Sequence, residues 1–333
     1  MLKFSVRFNN DRPAAEYIRL AQAAERHGFD QFWVSDDLFL RSSTVILTSV
    51  AQATERIQIG TSIVNPYTLH PAQMAMEAAT LDEVSGGRFQ LGVSSGAGDF
   101  LKWVGIEPAR PRTAVIETVE AIRRLLAGER AALDGQFLRW TDEAYLRFAP
   151  QRRHIPMYIG AMSPRMLETI GAVADGGLPL LFPPEHYSNV LPYIQAGAES
   201  AGRKLDDVDV AACIWCSVST DRAAAEDALR EKIAYYGHAF SPTIHAQLGL
   251  SAADFAPIEQ AMMVENDVAK AKTLVTAPML KIGVMGDARD LIARLETLAD
   301  LGVKHISFGP PLGPHPLEAI ETIGRDVLPH FHN

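Results

Sequence analysis

The chain has 333 residues, 47% of them apolar, and a net charge of -9. That is enough apolar sequence for one large core or two smaller ones. No apolar run reaches about 18 residues, which argues against a transmembrane helix. An acidic chain without a basic stripe argues against nucleic acid as a partner. The N-terminal Met1–Val6 predicts a strand and lacks the organisation of a signal peptide, so we expect a cytoplasmic protein.

Short apolar or β-branched runs alternate with amphipathic segments along the whole chain. The runs that predict strands are Lys3–Phe8, Gln31–Ser35, Ile57–Val64, Phe89–Ser94, Pro156–Ala161, Gly177–Leu181, Val208–Val218 and His305–Gly309. The segments with helical spacing are Ala14–His27, Pro71–Val84, Arg112–Ala127, Pro164–Val173 and Ala288–Leu301. This alternation predicts parallel strands joined by right-handed crossovers. Eight repeats favour a (β/α)8 TIM barrel, and the absence of G-x-G-x-x-G after the first strand disfavours a dinucleotide-binding open sheet.

Two stretches do not fit the repeat. Residues 128–154 contain the runs Gly135–Leu138 and Tyr145–Phe148, which predict a small hairpin. Residues 237–282 form an apolar insertion, which we expect on the active-site face or in an oligomer interface. Neither stretch resembles a linker. The sequence therefore predicts a single domain over residues 1–333.

The cysteines and histidines give no sign of a redox or metal site. Cys213 and Cys216 have C-x-x-C spacing, but they lie in a predicted strand, where residues three apart point to opposite faces. We expect them to be buried as small apolar side chains. The histidines are scattered, and no pair has metal-ligand spacing on one face, so we predict no metal.

Polar residues follow the predicted strands at the end where barrel enzymes place their active sites. They lie in Arg7–Asn9, Ser35–Asp37, Ser62–Asn65, Ser94–Gly98, Gly160–Ser163 and Phe308–Gly313. Asp36 and Asp37 are adjacent, and two like charges side by side cost free energy unless something offsets it. Ser163 and Pro164 predict the N-cap and first residue of a helix, which is consistent with ordinary capping or with an anion site.

One motif suggests another class of enzyme. Gly92–Gly96 satisfies G-x-S-x-G, the nucleophile elbow of serine hydrolases, with Ser94 at the nucleophile position. A true elbow turns directly into a helix, whereas here a glycine-containing loop continues. The glycines also allow the backbone to approach a flat ligand closely.

Longer motifs resemble the bacterial luciferase-like superfamily. They are Thr61–Pro71, Ala79–Val93, Pro156–Ala161 and Phe308–Pro314. Within the superfamily they resemble the coenzyme F420-dependent branch that includes methylenetetrahydromethanopterin reductase. The resemblance covers essentially the whole chain and implies a barrel that binds a deazaflavin at the strand ends. It also implies hydride transfer to or from a small organic substrate, and a homodimer or homotetramer.

The resemblance also implies roles for individual residues. Residues expected to bind the cofactor are Asp36, Ser62, Ile63, Val64, Asn65, Ser94, Ser95, Gly96, Gly160, Ala161, Met162, Ser163, Arg165 and Met166. A non-prolyl cis peptide bond is implied between Ser62 and Ile63.

Three positions depart from the pattern of the resemblance. Asp37 stands where many relatives have a histidine beside the ring, and Arg7 and Ala97 stand where the methanopterin reductases have acids. We predict that Arg7 and Asp37 form an ion pair, which would lower the Asp37 pKa and make it a poor proton donor. Water, Asp99 or a tyrosine would then supply the proton. Asp37 could instead cap the loop or the helix that begins near Ser42.

The sequence thus favours an F420-dependent oxidoreductase that reduces a C=N or C=C bond, with Asp36, Asp37 and Arg7 as catalytic candidates. An FMN-dependent monooxygenase remains the alternative within the same fold. A serine hydrolase and a ligand-binding barrel without catalysis are more distant alternatives. The methanopterin substrate itself is not carried over.

Overall fold

Eight parallel strands close into a barrel in the computed structural model, which describes residues 2–237, 240 and 242–332, apart from the side chains of Asp99 and Thr243. The barrel strands are β1 (Lys3–Phe8), β2 (Gln31–Val34), β3 (Gln58–Thr61), β4 (Phe89–Val93), β7 (Met157–Ala161), β8 (Gly176–Pro179), β9 (Asp209–Val218) and β11 (His305–Leu312). Pairing of β8 with β9 and of β11 with β1 closes the ring. The prediction of a (β/α)8 barrel is confirmed.

Helices surround the barrel and connect its strands. They are α1 (Ala14–Arg26), α2 (Ser43–Ala53), α3 (Pro71–Val84), α4 (Gly98–Trp103), α5 (Pro111–Leu126), α6 (Pro164–Val173), α7 (Tyr187–Ser200), α8 (Arg222–Tyr236), α9 (Pro242–Gln247), α10 (Ala252–Glu259), α11 (Val268–Leu274), α12 (Ala277–Leu280), α13 (Ala288–Asp300), α14 (Pro316–Thr322) and α15 (Leu328–Phe331). None of the described helices is long and apolar enough to span a membrane.

The strand boundaries differ from the prediction mainly around two connections. β3 ends at Thr61 rather than Val64, and pairing with β4 resumes in a single bridge between Val64 and Val93. β11 continues to Leu312 beyond a register shift in its pairing with β9. A short strand that the sequence did not predict, β10 (Val284–Gly286), pairs with the end of β9.

The predicted hairpin of residues 128–154 is present, but its strands were assigned wrongly. They are β5 (Leu133–Asp134) and β6 (Arg139–Trp140), and Gly135–Leu138 forms the turn between them. The reason is Glu117 on α5, whose carboxylate accepts hydrogen bonds from the backbone N–H groups of Gln136, Phe137 and Leu138 at 2.8–2.9 Å. These bonds provide acceptors for the backbone N–H groups of the turn, so its residues do not pair as a strand.

The insertion packs on the barrel end where the strands terminate. Its apolar residues join Phe182, which follows β8, and Trp215 near the end of β9 in a second apolar cluster. Phe240 stacks on both, with ring centroids 4.9 Å from Phe182 and 5.5 Å from Trp215. The insertion thus covers the end of the barrel where we expect the active site, and a role in an oligomer interface stays a prediction. Cys213 and Cys216 are buried as free thiols in β9, also as expected.

The opposite end of the barrel, where the strands begin, is closed by a polar network. Gln31 donates to the Tyr158 hydroxyl, which donates to Asp209 at 2.7 Å. Asp209 also bonds His305 Nδ1 at 3.0 Å, and His305 Nε2 lies 2.9 Å from the Ser5 hydroxyl. Above this network the fully buried ring of Trp33 fills the barrel. A Cβ at position 60 would lie 2.4 Å from that ring, so Gly60 is required there.

Candidate active site

The floor of the candidate site is the side chain of Ile63, which follows β3. The Ser62–Ile63 peptide bond is cis, as the resemblance implied. Ile63 lies against two glycines of the neighbouring strands, because a Cβ at Gly92 or Gly160 would approach its Cγ2 to 3.3 Å or 3.2 Å. Ile63 packs on the apolar cluster inside the barrel from above. Because the neighbouring glycines have no side chains, the apolar surface of Ile63 is suited to contact the face of a flat ring.

Asn65, Ser94 and Gly96 form one wall above this floor. Asn65 is buried, and its side-chain oxygen accepts hydrogen bonds from the N–H groups of Tyr67 and Thr68 at 3.1 Å, which orient its amide. Gly96 has a positive φ of 74°, and a Cβ there would lie 3.1 Å from the Asn65 side chain. Both the positive φ and the short distance to Asn65 favour glycine at position 96. Val64 is buried behind this wall, and Ser95 is partly exposed beside Gly96.

The start of α6 forms the next part of the mouth. Ser163 is the N-cap and Pro164 the first helical residue, as predicted, but the Ser163 hydroxyl makes no capping hydrogen bond. Pro164 has no N–H, and the Met166 N–H donates to the Ser163 carbonyl oxygen at 3.0 Å. The positive end of the helix dipole is therefore the main attraction that this helix start offers to an anion. Arg165 is exposed beside them. Ala161 and Met166 are buried and Met162 is 44% exposed, so of these three only Met162 extends into solvent.

Asp36 and Asp37 have different hydrogen-bond partners after β2, and helix α2 is capped by Asp36 rather than by Asp37, for which capping was considered. Asp36 Oδ1 accepts a hydrogen bond from the N–H of Ser43 at 3.0 Å, which caps the start of α2. Asp37 makes no such bond; its Oδ2 accepts from the Ser35 hydroxyl at 3.1 Å. The Asn10 side chain bonds both the N–H and the C=O of Asp37, which fixes the loop.

The predicted ion pair between Arg7 and Asp37 is wrong. Within the described residues Arg7 has no carboxylate within 4 Å; its Nη2 lies 3.5 Å from the Ile214 carbonyl oxygen on β9, and its guanidinium packs against Gly309 on β11. Arg7 thus points toward β9 and β11, away from β2. Burial raises the pKa of Asp37, and Ser35 and the charge of Lys232 only partly oppose this shift. The expected lowering of this pKa is therefore also wrong.

Lys232 is a charged residue at the mouth that sequence reasoning missed. It extends from α8, and its Nζ lies 3.9 Å from the ring centre of Tyr236 and 5.4 Å from that of Trp215. Burial lowers its pKa from 10.5 to about 7, although the nearby Asp11 and Asp37 act in the opposite direction. A signal was present in the sequence: Lys232 comes three residues after Leu229 and one before Ile233, on the buried face of α8.

The serine hydrolase alternative finds no support in the geometry. The Ser94 hydroxyl donates to the Gly160 carbonyl oxygen at 2.7 Å. No histidine or acid is bonded to it among the described residues. Residues 94–97 also form a loop before α4 begins at Gly98, so the strand does not turn directly into a helix.

Comparison with known proteins agrees with the barrel fold. Residues 3–305 match the family model described as luciferase-like monooxygenase. The chain belongs to this family. Its fold and membership are those that the sequence motifs implied.

Several relatives of this luciferase-like protein are named as F420-dependent enzymes. It is 33% identical to a 5,10-methylenetetrahydromethanopterin reductase of Methanolobus tindarius, over 98% of this chain and all of the relative. It is 30% identical to an F420-dependent glucose-6-phosphate dehydrogenase of Nakamurella multipartita, over 95% and 92% of the two chains. The solved coenzyme F420-dependent tetrahydromethanopterin reductase of Methanopyrus kandleri superimposes with a TM-score of 0.93 at 30% identity, covering 99% of both chains. The predicted resemblance to the F420-dependent branch is confirmed.

Proposed function

We propose that this protein is a coenzyme F420-dependent oxidoreductase that reduces a C=N or C=C bond of a small organic substrate. The observation that carries the proposal is the mouth itself, where an apolar floor and glycine-bearing walls leave room for a flat ring. The glucose-6-phosphate dehydrogenase of Nakamurella multipartita and the solved reductase of Methanopyrus kandleri are both named as F420-dependent. The substrate of none of them is assigned to this chain.

The residues at the mouth fit the different parts of a deazaflavin cofactor. Ile63 would contact the face of the ring, while Asn65 and Gly96 would line its edge and the ribityl chain. Ser163 and Arg165 would meet the phosphate of the tail, since the positive end of a helix dipole and a guanidinium both favour an anion. Asp36 would contact the cofactor from beside the start of α2. When bound in its reduced form, such a cofactor supplies a hydride.

The chain itself must then provide a proton for the other atom of the reduced bond. Asp37 is our candidate, because a raised pKa keeps a larger share of its carboxyl groups protonated near neutral pH than an exposed aspartate would have. The Ser35 hydroxyl, bonded to Oδ2, fixes the direction of this carboxyl group. Arg7 would act on the substrate side of the mouth.

Titration of the purified protein with F420 and with FMN, followed by absorbance and fluorescence, tests the proposal. We expect micromolar binding of F420. Micromolar binding of FMN with none of F420 would instead support an FMN-dependent monooxygenase. Binding of F420 with no turnover on a panel of unsaturated compounds would support a binding barrel without catalysis.

A pair of glycine substitutions tests whether the wall next to Asn65 is the binding surface. Gly96→Ala should weaken F420 binding about tenfold or more, because the added Cβ crowds Asn65 in a backbone conformation that favours glycine. Gly105→Ala is the matched control. Gly105 has a similar φ of 71°, but a Cβ there would meet nothing within 4 Å. Equal loss of F420 affinity in both variants would contradict the assignment of this wall.

We further propose that the protein is a homodimer or homotetramer. Exposed apolar side chains support this proposal, notably Phe39 and Trp103, which are 72% and 63% exposed and whose ring centres lie 6.3 Å apart. Apolar surface of this kind on a soluble enzyme is typical of an interface. Light scattering after size-exclusion chromatography measures the state directly.

A further inference from the structure

Arg7 is a buried cation that has no counter-ion among the residues that the structure describes. It is only 9% exposed, and its Nε has no hydrogen-bond partner. The contact of Nη2 with the Ile214 carbonyl oxygen is long, at 3.5 Å. A buried charge left in this state is costly, because neither water nor a carboxylate replaces the lost hydration. Glycine at position 309 keeps the space beside the guanidinium free, since a Cβ there would lie 2.5 Å from Nη2.

Lys232 approaches the same region from α8 and also lacks an ion-pair partner among the described residues. Its Nζ contacts the ring of Tyr236, which is itself packed on Trp215 with ring centres 6.0 Å apart. An ammonium group has three N–H donors, and a ring face satisfies none of them as a hydrogen-bond acceptor would. The charges of Arg7 and Lys232 interact unfavourably, which contributes to the low pKa of Lys232. Arg7 contacts the backbone of Ile214, and Lys232 lies 5.4 Å from the ring centre of the next residue, Trp215, so both cations reach the same part of β9. Two cations in this arrangement can hold one anion together.

The nearby acids do not neutralise these two cations by direct contact. Asp36 is engaged by the N–H of Ser43, and Asp37 accepts from Ser35. Asp11 lies on the exposed loop after β1 and has its own neighbour in Arg12, at 4.0 Å. The acids therefore act on Lys232 only from a distance, and within the described part of the chain Arg7 Nε and Lys232 Nζ have no hydrogen-bond acceptor.

Resting on the proposed function, we infer that Arg7 and Lys232 together bind the anionic group, a carboxylate or a phosphate, of the substrate. The rest of such a substrate would lie against the rings of Trp215 and Tyr236, so its body should be apolar or aromatic. The inference names the substrate class of the site: a small unsaturated compound with one anionic group.

Three probes of similar shape test this inference on the F420-loaded protein by calorimetric titration: benzoate, phenyl phosphate and benzamide. At pH 6 we expect benzoate or phenyl phosphate to bind at least about tenfold more tightly than neutral benzamide. Whichever anion binds more tightly identifies the group that the site accepts. Equal binding of all three probes would overturn the inference, while F420 binding in the same samples would leave the proposed function intact.

The pH dependence provides a test that needs no variant. The Lys232 pKa is about 7, so the group is charged below that pH and loses its proton above it. Asp11, Asp37, Arg7 and Tyr236 are the charged or titratable groups that act on or contact it. Benzoate stays fully ionised between pH 6 and pH 9, whereas phenyl phosphate gains negative charge near pH 6. The preference for benzoate over benzamide should therefore be largest near pH 6 and decline by pH 9. A preference that is constant over this range would contradict a role for Lys232.

Substitutions then assign the preference to the two side chains. Arg7→Met and Lys232→Met should each bring benzoate to within about twofold of benzamide, whereas Arg7→Lys should retain part of the preference. Lys281→Met, at an exposed lysine after α12, is the matched control and should change nothing. F420 affinity reports whether each variant is folded. A preference that survives both Arg7→Met and Lys232→Met in folded protein would overturn the inference.

Discussion

Both ends of the barrel carry charged side chains, but those at one end are paired and two at the other end are not paired within the described residues. At the end where the strands begin, Asp209 is bonded to Lys3, Tyr158 and His305, and every member of the chain of hydrogen bonds has a partner. At the mouth, Arg7 and Lys232 have no partner of opposite charge within 4 Å among the described residues. One end uses its polar groups for closure and stability, and the other leaves them available. Such unsatisfied groups are expected where a ligand binds.

The pKa of Asp209 at the closed end and that of Asp37 at the mouth are shifted in opposite directions. Burial tends to raise the pKa of Asp209, but the hydrogen bond and charge of His305 and the ammonium of Lys3 outweigh it and hold the pKa well below its usual range. Burial also raises the pKa of Asp37, and there no ion pair reverses the effect. The same side chain is thus stabilised as an anion at one end and destabilised at the other. Substitution of each aspartate by asparagine tests how its charge affects the free energy of unfolding.

The largest effect is expected at the closed end. Asp209→Asn should lower the free energy of unfolding by about 3 kcal/mol at pH 7, because Lys3 and His305 lose the carboxylate between them. A folded-state pKa below the unfolded value stabilises the protein above the unfolded pKa of about 3.9, and this contribution disappears as the pH falls through the folded value. Urea denaturation should therefore show the gap between variant and wild type narrowing below about pH 4. An equal gap at pH 7 and pH 3 would contradict the role of the anion.

An intermediate effect of opposite sign is expected at the mouth. Lys232→Met should raise the free energy of unfolding of the cofactor-free protein by about 1 kcal/mol, because the variant no longer buries a charge that has no partner. The folded pKa of about 7 lies below the ordinary 10.5, so the penalty is complete below pH 7 and vanishes as the pH rises to about 10.5. Denaturation at pH 6.5 and pH 10 measures this change. A destabilised variant at pH 6.5 would show that Lys232 serves the fold rather than the site.

The closed end and the mouth also differ in how far the sequence could predict them. The barrel followed from the alternation of strand and helix, and the ends of β1, α3 and α6 were correct to the residue. Ile63 lies just after β3 and Gly160 near the end of β7, as expected, because a strand end directly determines their position, while their roles in binding stay a prediction. The alternation of strands and helices does not determine the direction of a long side chain. For this reason the predicted direction of the Arg7 side chain was wrong.

Groups brought in from distant segments were the second source of error. Lys232 belongs to α8, and its contact with the mouth depends on how the insertion packs on Trp215 and Phe182. The polar network at the strand starts was not predicted either, although Gln31, Asp209 and His305 begin or nearly begin predicted strands. A polar residue at the first position of a buried strand is a signal that could have indicated this closure.

The smallest effect concerns Asp37, the counterpart of Asp209. Asp37→Asn should raise the free energy of unfolding at pH 7 by about 0.5 kcal/mol, the size expected for a site away from any buried pair. The sign follows from the raised pKa: folding favours the protonated form, so stability is lost as the pH rises from the unfolded value through the folded one. The gain should therefore be absent at pH 3.

In the same variant, turnover with F420 should fall while the dissociation constant of the cofactor stays unchanged, because the carboxyl group is proposed to move a proton and not to hold the ring. A loss of stability at pH 7 as large as that of Asp209→Asn would show that both aspartates serve the fold, and the contrast between the two ends would then be wrong.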